Sequence, residues 1–194
     1  MKKKNIFFVG LDAFNLKELK MVSGADHYNY EALLTFDDIF GPDAPGIETL
    51  LKKAREILDN YEGSIDAIIG YWDFPVSSMA PYLCRLYDLP GPDLESVIKC
   101  EHKYWSRLEQ SRAIEEYPEF AEVDPFDEKA IEHIKLKYPF WLKPVKATGS
   151  QLGFLINSLD DFLEAQKIIQ DKISWFSSPF NFLLSELSLP GEIR

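Results

Sequence analysis

The hydrophobic pattern begins with a short unbroken run. Asn5 to Gly10 holds Ile6, Phe7, Phe8 and Val9, closes on glycine and is followed by Asp12, the composition of a buried strand that ends in a turn. A second, weaker run, Ala32 to Phe36, lies within Tyr28 to Phe40, and Gly41-Pro-Asp-Ala-Pro-Gly46 then breaks the backbone. From there the period changes: Ile47, Leu50, Leu51, Ala54, Ile57 and Leu58 recur at helical spacing with charged residues between them, which predicts an amphipathic helix. Gly63 to Gly70 predicts another strand, and Ser77 to Leu86 a helix with Met79, Tyr82, Leu83 and Leu86 on one side. Strand, helix, strand, helix is the order of an α/β parallel sheet with right-handed crossovers.

Leu89-Pro-Gly-Pro92 stops a helix and excludes a central strand, so the first domain is assigned to residues 1–92 and the second to 93–194. Asp93 to Lys137 is charge-rich and mostly helical in pattern, interrupted by Tyr117-Pro118 and Asp124-Pro125. Tyr138 to Val145 returns to strand composition, Lys146 to Gly153 is a loop of small residues, and Phe154 to Ile156 is a further strand. Ser158 caps a helix with Phe162, Leu163, Ala165, Ile168 and Ile169 as core positions and acidic residues in its first turn. Phe180 to Leu184 reads as a final apolar strand.

Composition narrows the function classes. The 32 acidic against 21 basic side chains leave a net charge of −11, which repels a phosphate backbone and argues against a nucleic-acid partner. No apolar stretch approaches the roughly 20 residues that cross a bilayer. Lys2 to Lys4 lead into a run that stops at Asp12 without a small-residue cleavage site, so they read as a solvated start to the first strand and not as a signal peptide. With Cys84 and Cys100 as the two cysteines, the cytoplasm is the expected compartment.

Chemistry is most legible around the small loop. Glycines at 149 and 153 give its tip room to approach phosphate oxygens and offer them backbone N–H groups, and Lys143 stands just before it as a point charge. Taken alone, the segment reads better as an ordinary hairpin beside a solvated lysine. It lacks the Gly-Lys-Ser/Thr of a Walker A loop, and no nucleophile elbow or dinucleotide fingerprint occurs elsewhere. His27, His102 and His133 are too scattered for a structural zinc site. Asp12, Trp72 and Asp73 follow predicted parallel strands, where open sheets place ligands, although Trp72 as core and Asp73 as turn former fit as well.

Read in order, Leu89-Pro-Gly-Pro92, Cys100-Glu-His-Lys-Tyr-Trp-Ser-Arg107, Phe140-Trp-Leu-Lys-Pro-Val145, Gly149-Ser-Gln-Leu-Gly153 and Leu183-Leu-Ser-Glu-Leu-Ser-Leu-Pro-Gly191 resemble the ATP-grasp superfamily, which includes biotin carboxylase, D-alanine:D-alanine ligase and the carbamoyl-phosphate synthase large subunit. The resemblance covers the chain end to end but about the first half of a typical member. It implies a Rossmann-like domain followed by the α+β first part of a nucleotide clamp, incomplete at its C-terminal side. Lys103 and Lys143 resemble the family's phosphate lysines; Gly149, Ser150 and Gly153 resemble its flexible phosphate loop. Glu186 with Leu187 and Leu189 resembles the hinge beside the adenine, and Glu192 falls near the ribose, with Ile193 standing where the family often has glutamate. Asp12, Trp72 and Asp73 fall on the carboxylate-substrate side.

The implied enzyme uses ATP and magnesium to make an acylphosphate from a small carboxylate, which an amine, thiol or other nucleophile attacks. The family's magnesium ligands fall beyond position 194, so none is expected here and the 194 residues are expected to be a truncated fragment, inactive alone. A homodimer is compatible with the resemblance. The competing reading is a nucleotide- or metabolite-binding module with a degenerate clamp and no chemistry.

Overall fold

The computed structural model describes residues 2–188 and 193. The chain divides into two compact units, Met1–Val97 and Ile98–Arg194.

In the first unit β1 (Lys4–Leu11) leads to α1 (Ala13–Leu19), β2 (Tyr28–Thr35), α2 (Phe36–Phe40), α3 (Ile47–Asp59), β3 (Ala67–Gly70) and α4 (Val76–Leu86). The sheet order is β2-β1-β3, with parallel pairing on both sides of β1. Flanked by neighbours, β1 buries Phe7, Phe8 and Val9 almost completely, which explains its run of apolar residues without alternation. The helical period of α3 is confirmed by burial of Ile47, Leu50, Leu51, Ala54 and Leu58. On α4, Met79, Tyr82 and Leu83 are buried as the pattern predicts, whereas Leu86 is exposed because the helix ends there and turns to solvent at Tyr87. Gly10, at the carboxyl end of β1, has φ +85°, and a Cβ on it would lie 2.9 Å from Trp72 Cδ1. Both the backbone conformation and the close approach of the indole therefore demand glycine.

The second unit is α+β. Helix α5 (Leu94–Glu101) runs into it, followed by α6 (Lys103–Ala113), α7 (Ala130–His133), β4 (Phe140–Leu142), β5 (Phe154–Ile156), α8 (Leu159–Lys172) and α9 (Ser174–Ser185). The charge-rich stretch is thus helical only in part: residues 114–129 form no helix, as prolines 118 and 125 restrict the residues before them. That stretch is tied down from α8, where Gln166 Nε2 donates to the carbonyls of Pro125 and Asp127 at 2.9 Å. Strands β4 and β5 pair antiparallel, Trp141 opposite Leu155 and Leu142 opposite Phe154. Leu142 and Ile156 face inwards onto Phe162, Ala165 and Ile169 of α8, the floor of the hairpin.

Ser158 caps α8 as expected, accepting from the Asp161 N–H at 3.2 Å. Leu163 is exposed and Gln166 buried in its place, because the inward stripe of α8 runs through 162, 165, 166 and 169. The expected strand from Phe180 to Leu184 is instead part of helix α9. Phe180, Leu183 and Leu184 are the buried positions, an i, i+3, i+4 set that a helix aligns and a strand would split between two faces.

Candidate functional site

The β4–β5 loop gathers the predicted phosphate residues of the second unit. Lys143 follows β4, one strand period after Trp141, so the two share the outer face of the hairpin. Its ammonium lies 5.0 Å from the Trp141 ring centroid, and its stem runs past Gly153, where an added Cβ would sit 3.7 Å from Lys143 Cγ. Lys103 approaches the opposite end of the loop: its Nζ donates to the Ala147 carbonyl at 3.2 Å, and its backbone N–H to the Val145 carbonyl at 2.9 Å. The loop is therefore bracketed by Lys103 at its start and Lys143 at its close.

Between them the backbone is unusual. Gly149, Ser150 and Leu152 all have positive φ, near 59°, 59° and 54°. Left-handed conformation at a branched apolar residue such as Leu152 is uncommon, and here the side chain packs against the Phe162 core while the backbone turns. Gln151 N–H donates back to Thr148 and Gly153 N–H to Ser150. Among the described residues the N–H groups of Gly149, Ser150 and Leu152 have no protein acceptor. An added Cβ on Gly149 would meet nothing within 4 Å, so the tip is open. Unpaired backbone donors on a turn rich in left-handed residues form the kind of concavity that takes an anion, and two ammonium groups border it.

Two residues outside the predicted set belong to this region. Trp141, 60% exposed, presents an indole beside Lys143, and strand alternation could have placed it there. Lys146 was expected in the loop, yet it is buried and paired with Glu101 at 2.9 Å, an arrangement that a partner far along the chain imposes. Glu186 is the C-cap of α9 and Leu187 follows it; their N–H groups donate to helix carbonyls, of Leu183 and Leu184 respectively. Leu189 and Glu192 lie outside the described residues.

In the first unit, Asp12 follows the carboxyl end of β1 and Trp72 that of β3. The Trp72 indole N–H donates to the Gly10 carbonyl at 2.8 Å, and the Tyr71 hydroxyl lies 3.0 Å from Asp12 Oδ2. Asp12 also caps α1 through the side-chain amide and N–H of Asn15, which hold its carboxyl below the usual carboxylate range, with Tyr71 adding to the effect. Asp73 closes the turn into α4, accepting from the Phe74 N–H at 2.6 Å. Among the described residues no three His, Cys, Asp or Glu side chains stand close enough together to hold a metal ion. Likewise, no described helix is long and apolar enough to cross a membrane.

His102 caps α6, its Nδ1 accepting the Trp105 N–H at 3.1 Å, which leaves the proton on Nε2 in the neutral ring. Burial pushes the imidazole below its ordinary value of 6.5. Below that pH the unfolded chain takes up a proton that the folded chain refuses, so stability falls as pH falls, by at most about 1.4 kcal/mol per pH unit. His102→Asn, which keeps an acceptor at the cap, is expected to flatten the change in urea midpoint between pH 7.5 and 5.5. An equal slope in parent and variant would contradict the assignment.

No protein-family model matches the sequence, and no curated protein does. A solved structure does match: the crystal structure of L-amino acid ligase from Bacillus licheniformis superposes with a TM-score of 0.67 and 14% identity, covering 94% of this chain and 44% of that one. The chain has an ATP-grasp-like fold. It spans less than half the length of that ligase. The parallel sheet of the first unit and the antiparallel hairpin of the second are the two parts of the ATP-grasp-like fold that the motif order implies.

Proposed function

We propose that this chain is the ATP-binding part of a ligase that activates a carboxylate as an acylphosphate for attack by an amine or another nucleophile. The observation that carries the reading is the loop of open N–H groups bracketed by Lys103 and Lys143 within an ATP-grasp-like fold. ATP, when bound, supplies the γ-phosphoryl group: a carboxylate oxygen forms the new bond to phosphorus as the bond to the β–γ bridging oxygen breaks. The nucleophile then adds to the acyl carbon and phosphate leaves.

In such a transfer the protein positions the groups and neutralises charge. Lys143 meets the phosphate chain from the hairpin's outer face, Lys103 from the start of the loop, and the N–H groups of Gly149, Ser150 and Leu152 take the terminal oxygens. Trp141 offers the adenine an exposed aromatic face. Asp12, Trp72 and Asp73 are proposed to lie on the carboxylate side, and Glu186 and Leu187 with Leu189 and Glu192 on the adenine and ribose side. Turnover with magnesium is proposed for the complete ligase, residues 1–194 supplying its nucleotide-binding part.

Calorimetric titration with ATP and with GTP tests this. Heat with ATP and weaker heat with GTP are expected. No heat with either nucleotide would contradict the proposed function.

A further inference from the structure

Lys146 is a charged group that the nucleotide reading leaves unused. Its ammonium lies 2.9 Å from Glu101 Oε2, the side chains being 7% and 12% exposed, and 6.0 Å from the Phe180 ring centroid. A buried ion pair is a poor source of stability, because desolvating both ions offsets most of their attraction; what it fixes is geometry. As a phosphate ligand Lys146 would be badly placed, since an arriving anion would meet the Glu101 carboxylate as well.

The residues beside the pair are joined too. Lys103 N–H donates to Val145 and Lys103 Nζ to Ala147, so two residues at the α5–α6 joint, Glu101 and Lys103, are fastened to three consecutive residues at the loop root, 145–147. The root is thus pinned, while the tip at Gly149 to Gln151 stays exposed. We propose that the Lys146–Glu101 pair is a positioning latch that holds the loop root against the α5–α6 joint and so sets the spacing between Lys103 and the loop tip for a polyphosphate. The latch rests on the nucleotide reading above. It gives Lys146 and Glu101 a role in selecting a triphosphate over a monophosphate, without contact to either.

The test uses the full 194-residue chain with Lys146→Met, Lys146→Arg and Glu101→Gln, measuring affinity for ATP and AMP by calorimetry and hydrogen exchange at the Lys103 amide. Lys146→Met is expected to weaken ATP binding about tenfold and AMP binding less than about twofold, on the scale where each decade is one step in Kd. Glu101→Gln, which keeps an acceptor for the ammonium and guards against misfolding, should weaken ATP about threefold, and Lys146→Arg should stay within about twofold of the parent. Exchange at Lys103 should quicken in Lys146→Met and Glu101→Gln and stay at the parent's rate in Lys146→Arg. A purely structural role would weaken ATP and AMP alike, and that result, or unchanged ATP affinity, or unchanged exchange at Lys103, would overturn the latch. A parent chain that binds neither nucleotide contradicts the ligase reading and the spacing role with it, whereas a binding parent with unchanged variants contradicts the latch alone.

Discussion

Lys143→Ala is expected to lower the affinity for ATP by about 10- to 150-fold, the equivalent of the roughly 1.5 to 3 kcal/mol carried by a hydrogen bond to a charged group. Lys143 is exposed and its ammonium rests near the Trp141 face, so truncation removes no core contact, and the circular dichroism spectrum should match the parent. The deficit should shrink in high salt, because an exposed charge is screened over about 10 Å at 0.1 M ionic strength. An affinity equal to the parent's at low salt would remove Lys143 from the site.

The largest effect on stability is expected from Phe162→Ala. Phe162 is fully buried beneath Leu142 and Ile156, and removing it should cost about 3 to 5 kcal/mol through lost transfer energy and the cavity left behind. Urea unfolding followed by tryptophan fluorescence should show this, since Trp105, which is almost completely buried, reports on the same unit. Leu152 packs on this core too, so the loop tip would lose its anchor and ATP affinity should fall with stability. A loss below about 1 kcal/mol would mean that the hairpin does not depend on α8 as described.

How far the sequence reveals this protein depends on how local each determinant is. The strand at β1, the helical stripe of α3, the antiparallel hairpin and the Ser158 cap are written in neighbouring residues, and each is found where the pattern puts it. The run from Phe180 to Leu184 failed because five apolar-rich residues satisfy strand composition while three of them also satisfy a helical stripe, and burial decides between the two. Leu163 departs from its expected burial because apolar character does not fix which side of a helix reaches the core, and Leu86 because α4 ends there.

In the site, Lys103, Lys143, Gly149, Ser150 and Gly153 could be nominated by motif order, and the structure brings them to one loop. Lys146 could not, since a lysine in a small polar loop gives no sign of burial until Glu101, distant in sequence, comes beside it. Neither could the left-handed backbone at Ser150 and Leu152, beside which Leu152 packs on the Phe162 core.

The measurement that bears most directly on the central claim is amide hydrogen exchange across residues 147–153, with and without saturating ATP. Fast exchange is expected at Gly149, Ser150 and Leu152 in the nucleotide-free chain, where no described protein acceptor protects them, and marked slowing when ATP is present. Adenosine, lacking phosphates, should leave them fast. Unchanged exchange at all three amides under ATP concentrations that produce binding heat would contradict a phosphate-binding loop and place the nucleotide elsewhere on the chain.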